Sequence, residues 1–380
     1  QWVDLTYDLG MDIRYVTSNS LRNRELSTRE FSVLLMPMSQ AVSEEDAEAI
    51  RSFVRAGGNV IADVRPGLYD GHCRAWGQWM LDDVFGIQRT ELGDVVTQPA
   101  AISAEIDGHA VDATFSSIKL VPGFAPTTAV PAASVGDTPV LLANKFGEGT
   151  AILLNFQVPA AYASDADTEA IYALMEALYS ATGAQGPISV RGPDGTPVRF
   201  SETRVWRNGD ALVFGTYRKM QCKWFNPQSG TVAGEPVQAS IDLPRDHHIY
   251  DLRAGEYLGN TDHIDATLRW GRANFYAALP YRLEGLKAAL SSSTPEAGSR
   301  LTATVSLNAP RSSRARHAVW VEVIAPDAST PFWGRQVLLL ENGTGEVVLP
   351  IAYNDAPGRW RVRATELFSR QTAEATYTVQ

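Results

Sequence analysis

The chain has 380 residues, of which 44% are hydrophobic and 20% charged, and its formal net charge is -10. A chain of this length is too long for one ordinary domain, so we expect two or three, each with its own core. The acidic balance argues against nucleic acid and anionic membranes as partners, because both are bound by clustered Lys and Arg. No apolar run approaches the roughly 20 residues that a membrane helix needs, so we also expect no membrane segment.

The two cysteines, Cys73 and Cys222, stand far apart and match no CxxC or Cys/His metal spacing. We therefore expect no disulfide framework, no bound cofactor and no metal. Residues 1–5 have no initiating Met and neither the basic nor the apolar part of a signal peptide. We expect the chain to begin inside a larger polypeptide, and the sequence leaves open whether its compartment is cytoplasmic or extracytoplasmic.

The first part of the chain alternates buried strands and helices. The apolar run FSVLLM at residues 31–36 predicts a strand that is buried on both faces of a parallel sheet. The acidic residues after Ser43 predict the start of a helix, Gly57 and Gly58 its end, and NVIAD at residues 59–63 the next strand. This β-α-β order predicts a parallel strand pair with a right-handed crossover.

The remainder of this α/β domain is less regular. Residues 140–143 and 150–156 predict two strands joined by a tight turn, and a helix from about 165–181 follows. Residues 90–134 show no helical period and predict an irregular, partly β excursion packed on the sheet. An initial helix leads into a predicted strand at residues 12–16, so we expect the first strand of the domain to lie upstream of this chain.

After Gly183 the pattern changes to short alternating segments separated by Gly, Pro, Asn and Asp, which predicts β-sandwiches. Residues 286–300 are small and polar, as linkers are. We therefore predict a multidomain α/β plus all-β fold. It comprises a flavodoxin-like, parallel-sheet domain at residues 1–184 and two Ig-like β-sandwich modules at residues 185–285 and 286–380.

A long motif, LLMPMSQAVSEEDAEAIRSFVRAGGNVIADVRPGLYDGHCR at residues 34–74, is followed by LDDVFGI at 81–87 and by GEG at 147–149. These segments resemble the trimerisation domain of bacterial β-galactosidases and related glycoside hydrolases, over about the first 180 residues. The resemblance implies a fold like that of class I glutamine amidotransferases without their activity, and a role in packing subunits beside a catalytic barrel. HIYDLRAGEYLGNTD at 248–262 resembles the β modules that trail such domains in large bacterial proteins.

The sequence also indicates, independently of this resemblance, that the nucleophile needed for amidotransferase chemistry is missing. Such an enzyme needs a Cys at a sharp turn between a strand and a helix, with a His to activate it. After the strand predicted at 59–63 the chain has VRPG at 64–67, and no Cys. Cys73 lies ten residues beyond Asp63 and next to His72, where neighbouring side chains diverge. We predict no catalytic residue here, and a small-molecule hydrolase or amidotransferase working through Cys73 is a minor alternative.

Five charged or titratable side chains follow the strand at 59–63, at the end of a parallel sheet where open α/β folds bind ligands. They form our candidate ligand or subunit-contact loop, called the candidate loop below: Asp63, Arg65, Asp70, His72 and Arg74. The favoured interpretation of the same residues is an Asp–Arg network that ties the loop to the sheet. A divalent metal held by the two Asp and the His is a weaker alternative.

The first β module is rich in aromatic residues, and exposed aromatic rings stack on sugars. Trp224 and Trp270 are the candidate sugar-stacking residues, with core packing as the competing interpretation. A glycosidase needs two carboxylates facing each other on a scaffold such as a barrel of about 250 residues. The chain shows no such repeat, so we expect any glycosidase site to lie upstream or in a partner chain.

These observations predict a non-catalytic oligomerisation or accessory region of a glycoside-hydrolase-like protein. Its expected partners are further copies of itself, a trimer among the options, or an upstream catalytic domain. The alternative is a carbohydrate-binding protein that uses the β-module aromatics or the candidate loop.

Overall fold

The computed structural model describes residues 1–380 except Arg24, 76–79, Leu92, Met220, 223–230, 233–234, Ala309 and 311–314. The chain forms two compact units, one α/β and one all-β, which confirms the predicted combination of classes. Unit 1 comprises Gln1–Gly186 and Asp194–Phe200, and unit 2 comprises Pro187–Pro193 and Ser201–Gln380. No helix in the described residues is both long enough and apolar enough to cross a membrane.

Unit 1 mixes helices and strands along the chain. Its helices are α1 Trp2–Asp8, α2 Ser18–Arg22, α3 Glu44–Arg55, α4 Asp82–Phe85, α5 Val158–Ala163 and α6 Thr168–Ala181. Its strands are β1 Val33–Met36, β2 Asn59–Asp63, β3 Ile87–Arg89, β4 Val96–Ile106, β5 His109–Leu120, β6 Phe124–Pro126, β7 Val130–Val135, β8 Thr138–Phe146 and β9 Gly149–Leu154.

The main sheet of unit 1 has the strand order β1-β2-β9-β8-β7. The strand β2 runs parallel to both β1 and β9, with Ile61 opposite Leu35 on one side and Ile152 on the other. Between β1 and β2, the Ser43 hydroxyl accepts a hydrogen bond from the Asp46 backbone N–H at 3.1 Å and caps α3. The predicted β-α-β unit, its parallel pairing and its capping residue are therefore confirmed.

The excursion predicted at residues 90–134 is more regular than expected. The strands β4 and β5 form a long antiparallel hairpin. It turns at Asp107 and Gly108, whose φ angles are 49° and 80°. Ile102 and Phe115 are buried in the same core cluster as Ile152. The small residues of β4 concealed its alternation in the sequence, and two consecutive positive φ angles are typical of a two-residue hairpin turn.

One other local prediction is wrong, and one is confirmed with a later start. Residues 12–16 form no strand in this structure. Instead, Arg14 contacts the Glu30 carboxylate at 3.2 Å and lies over the Phe31 ring. A strand exists only where a neighbour supplies ladder hydrogen bonds, and among the described strands β1 pairs only with β2. The helix predicted at about 165–181 is confirmed as α6, which begins at Thr168, and α5 precedes it as a separate helix.

Unit 2 is built from strands. In chain order they are β10 Ser189–Arg191, β11 Ser201–Asn208, β12 Ala211–Arg218, β13 Gln221–Cys222, β14 Thr231–Val232, β15 Val237–Asp251, β16 Glu256–Leu268, β17 Asn274–Leu279, β18 Glu284–Leu290, β19 Arg300–Asn308, β20 His317–Ile324, β21 Arg335–Leu340, β22 Thr344–Pro350, β23 Gly358–Glu366 and β24 Thr372–Val379.

These strands form three larger sheets. The first has the order β10-β15-β17-β12-β11 with β16 paired to β15, the second is β18-β19-β22, and the third is β21-β20-β23-β24. One cluster of buried side chains contains Tyr250 and Leu279 from the first sheet together with Leu301 and Val362 from the other two. The linker prediction is wrong for the start of 286–300, because those residues lie in β18.

A cluster of hydrogen-bonded polar side chains lies inside the core of unit 2. His317 and Glu366 are both 0% exposed, and His317 Nδ1 lies 3.2 Å from a Glu366 carboxylate oxygen. The Tyr281 hydroxyl lies 2.8 Å from the other His317 ring nitrogen, and the Ser369 N–H and hydroxyl both donate to Glu366 at 2.7 Å. Burial pushes the pKa of Glu366 up, but the hydrogen bonds from His317 and Ser369 outweigh it and lower the pKa overall.

We expect Glu366→Gln to flatten the acid dependence of stability. A carboxyl with a lowered folded-state pKa stabilises the fold above its ordinary pKa, here 4.5, and loses that contribution as the pH falls through the folded-state value. The variant should also be about 1–3 kcal/mol less stable at neutral pH, because the amide is a poorer acceptor for these donors. Urea unfolding between pH 3 and pH 7 measures both effects. Glu296→Gln, at an exposed position, is the control and should keep the wild-type slope; a wild-type slope in Glu366→Gln itself would contradict the assignment.

Candidate functional site

The end of β2 continues into a strained turn. Val64 and Arg65 have φ angles of 48° and 56°, which place both in the left-handed region, and Gly67 follows with 67°. A positive φ is a genuine outlier for a β-branched residue such as Val and costs on the order of 1–3 kcal/mol. The Val64 N–H donates to the Leu154 carbonyl at 3.3 Å, and the Gly67 N–H donates to Ser39 at 3.0 Å. The surrounding chain therefore holds the turn in place.

Val64 occupies the position directly after the strand, which is where the chemistry of an amidotransferase would require an exposed thiol. Its side chain is apolar and the residue is 3% exposed. Residues 64–67 have the sequence VRPG, and nothing in these residue types predicts a strained turn. The backbone is sharply turned at this point, but the side chain cannot act as a nucleophile.

Asp63, the last residue of β2, is completely buried. Its carboxylate accepts hydrogen bonds from Trp2 Nε1 at 3.0 Å and from the Met38 backbone N–H. Burial raises the pKa of Asp63, and hydrogen bonds from Met38, Trp2 and the Val158 backbone oppose that rise. The Asp63 carboxylate therefore joins α1, the segment after β1 and the start of α5.

The Arg65 guanidinium also forms hydrogen bonds with backbone groups of unit 1. One terminal nitrogen of its guanidinium donates to the carbonyl oxygens of Gly93 and Pro122, both at 3.1 Å. These two residues lie on either side of the β4–β5 hairpin in sequence. Asp63 and Arg65 form the inner half of the candidate loop, and their hydrogen bonds to Trp2 and to backbone groups tie that half to the rest of unit 1.

The outer half of the candidate loop is arranged around Asp70. One Asp70 carboxylate oxygen accepts the His72 and Arg74 backbone N–H groups at 2.8 Å each, and the other accepts Arg74 Nε at 3.1 Å. The backbone hydrogen bond from Arg74 is the largest contribution that lowers the pKa of Asp70. His72, Cys73 and Arg74 are exposed, so this half presents an imidazole, a thiol and a guanidinium to solvent.

The candidate loop therefore does not bring its five side chains together into one site. Asp63 is enclosed beneath Trp2, whereas His72 and Arg74 face outward. In the part of the chain that the structure describes, no three His, Cys, Asp or Glu side chains are placed to hold a metal ion. The ligand-site and Cys73 interpretations stay predictions.

Of the two candidate sugar-stacking residues, Trp224 lies outside the described residues. Trp270 is partly buried, and the Arg218 guanidinium carbon lies 4.0 Å from its ring centroid, which is a cation–π contact. The arginine covers one face of the ring. Sugar binding at these residues stays a prediction.

Sequence reasoning missed a groove of about 1170 Å³ between α2 and α3. Its apolar lining includes Leu21, Leu26 and Phe53, and charged side chains such as Arg22 and Glu48 line it too. The pattern of residues 18–28 is too short and too polar to assign an element, so no signal in the sequence could have revealed a groove here.

Unit 1 is similar to a domain of known proteins. Residues 18–180 match the family model described as the β-galactosidase trimerisation domain, which confirms the resemblance of the motif at 34–74. This match covers most of unit 1 and none of residues 181–380. No curated protein matches the chain.

Similar solved structures include two β-galactosidases. The enzyme from Bacillus circulans sp. alkalophilus is 16% identical with a TM-score of 0.52, and the similarity covers 73% of this chain and 36% of that enzyme. The enzyme from Rahnella sp. R3 is 15% identical with a TM-score of 0.49, covering 72% of this chain and 35% of that one. The chain thus spans about a third of the length of these proteins.

We expect Asp63→Asn to destabilise unit 1 by about 1–3 kcal/mol. The amide keeps one acceptor oxygen but turns its NH2 group towards the N–H of Trp2 or of Met38, so one donor loses its partner. Urea unfolding followed by Trp fluorescence measures the change. Asp94→Asn replaces an exposed carboxyl in the same unit and should leave the unfolding midpoint unchanged. Equal unfolding midpoints for the two variants would show that the hydrogen bonds of Asp63 do not stabilise unit 1.

Proposed function

We propose that unit 1 is a non-catalytic domain that joins copies of this chain into a homo-oligomer, with three subunits, as part of a glycoside-hydrolase-like protein. The observation that supports this most directly is the match of residues 18–180 to the β-galactosidase trimerisation domain. The buried Val64 after β2 supports the non-catalytic part of the proposal, because the turn offers no nucleophile.

The finer description of the fold belongs to the same proposal. We assign unit 1 to the flavodoxin-like, amidotransferase-like class because β1, β2 and β9 are parallel neighbours with α3 crossing between the first two. We assign residues 185–285 and 286–380 to two β-sandwich modules of the Ig-like type, which act as accessory modules. Their shared cluster of buried side chains supports a close association between the two.

The outer half of the candidate loop is the surface that we propose for subunit contact. His72 and Arg74 are exposed, and the Asp70 carboxylate fixes the backbone that carries them. A rigid backbone lowers the entropy lost when a loop becomes ordered in an interface. Arginine is also enriched at interfaces, where its planar group makes several hydrogen bonds at once.

The mass of the chain in solution tests this proposal. Multi-angle light scattering should give a species of three times 41.4 kDa. Arg74→Glu should weaken that assembly at least about tenfold, because a reversed charge in a contact costs on the order of several kcal/mol. The Arg74–Asp70 ion pair is 76% exposed on the arginine side, so its loss should change the melting temperature little.

Lys119→Glu is the matched control, since it reverses an exposed positive charge on β5 of the same unit. It should keep the wild-type mass. A wild-type chain that stays monomeric over a wide concentration range would overturn the proposed oligomerisation. A trimer that survives Arg74→Glu unchanged would remove the candidate loop from the interface.

A further inference from the structure

Three loops of unit 2 meet at one end of its last two sheets. They are the loops at 291–299, 325–334 and 351–357. The second and third loops emerge from the same end of one sheet, because Ile324, just before the second, lies opposite Arg361, just after the third. The first loop is bound to the third, since the Gly298 N–H donates to the Ile351 carbonyl at 2.8 Å. The surface that these three loops form is called the three-loop end below.

Two aromatic side chains project from the three-loop end. Phe332 is fully exposed and Tyr353 is 87% exposed, and these are the two highest values for large hydrophobic side chains in the described part of the chain. Removing apolar surface of this kind from water is favourable, and prominent exposed apolar groups on a soluble protein mark contact sites. Each ring therefore offers apolar area that a bound molecule can cover.

The surrounding chain keeps both rings outside the core. Trp333 follows Phe332 directly and packs against the buried cluster of unit 2, so its ring takes the inward position. The Tyr353 hydroxyl lies against Gly298, where a Cβ atom would collide with it. The exposure of the two rings thus follows from their neighbours in the fold.

Hydrogen bonds inside the loops fix their backbone. The Ser329 N–H and hydroxyl donate to one carboxylate oxygen of Asp327 at 2.9 Å and 2.6 Å. The Ala352 N–H donates to one carboxylate oxygen of Asp355 at 2.8 Å. Each carboxylate uses one oxygen in this way, and its second oxygen can accept from a further donor. A surface that is already ordered loses less conformational entropy when it binds.

The charges around the three-loop end restrict the ligand. The loops contain no Lys or Arg, and their acidic residues are Glu296, Asp327 and Asp355. Arginines stand only in the strands that the loops lead into, at Arg300, Arg335 and Arg359. The acidic loops oppose an anionic ligand and the same surface of a second copy, whereas the arginines around them oppose a cationic ligand. A neutral ligand is therefore favoured.

The other loop residues favour a polyol over an apolar peptide. Seven of them are Ser or Thr, and Ile351, which is buried, is the one Val, Leu, Ile or Met among them. A docked apolar helix or peptide needs a contiguous hydrophobic surface. Single rings set among hydroxyl and carboxylate groups instead match a molecule that carries CH faces and hydroxyls side by side.

We propose that the three-loop end binds a neutral saccharide. The CH face of a sugar ring stacks on Phe332 or Tyr353, and sugar hydroxyls donate to the second carboxylate oxygens of Asp327 and Asp355. This surface is separate from Trp270, whose ring is covered by an arginine. The proposal concerns unit 2 alone and does not depend on the trimerisation proposed for unit 1.

Affinity electrophoresis of the full chain tests the proposal. The net charge of -10 carries the chain through a native gel, and a polysaccharide cast into the gel retards a chain that binds it. The neutral probes are galactan, galactomannan and arabinoxylan, and the anionic probes are polygalacturonate and carrageenan. We expect at least one neutral polymer to retard the chain and the anionic polymers to leave its mobility unchanged.

Phe332→Ala and Tyr353→Ala should each weaken the retardation about tenfold, because each removes one stacking ring, and the double variant should abolish it. Both side chains are exposed, so the melting temperature should stay at the wild-type value. Tyr15→Ala is the matched control, since it removes a ring that is 71% exposed in unit 1, and it should bind as the wild type does. Arg74→Glu should also keep wild-type retardation, which separates this proposal from the trimer.

Three results would overturn the proposal. The first is a mobility that no neutral polysaccharide changes. The second is a retardation that the Phe332→Ala/Tyr353→Ala double variant leaves intact, because the sugar then binds elsewhere. The third is a lower mass of this double variant in light scattering than of the wild type, which would make the three-loop end a contact between copies of the chain.

Discussion

The buried carboxylate of Asp63 is the constraint on which the arrangement of unit 1 depends. It receives hydrogen bonds from an indole on α1 and from the backbone after β1, and burial alone would otherwise favour its neutral form. Fixing the end of β2 in this way leaves Val64 and Arg65 little freedom, and both take up left-handed backbone angles. The strain in the turn is thus balanced by contacts on either side of it.

This turn also links structure to the proposed function. A sharp, rigid turn at the end of a parallel strand is the place where an α/β fold can expose a reactive side chain. Here that position is filled by a buried Val64, and the nearby guanidinium of Arg65 binds two carbonyl oxygens that flank the β4–β5 hairpin. A turn of this kind contributes rigidity, which an oligomerisation domain needs at least as much as an enzyme does.

The sequence predicted the parts of the fold that depend on local periodicity. The apolar runs around Leu35 and Ile61, with the Ser43 cap between them, identify β1, α3 and β2 because strand and helix periods are visible within each segment. It placed the five residues of the candidate loop in one segment, but the structure does not bring their side chains together. It could not show that Asp63 lies under Trp2, 61 residues away, because partners at that separation leave no periodic signal.

The proposed trimer constrains what the candidate loop must contact. In a closed three-subunit ring each interface is heterologous, so a patch on one copy meets a different patch on the next. The outer half of the candidate loop therefore forms one side of the proposed contact and does not pair with itself. Because the Asp70 carboxylate already fixes the backbone of this half, the partner patch does not have to order it, and the side chains of His72 and Arg74 are the groups that would select the partner.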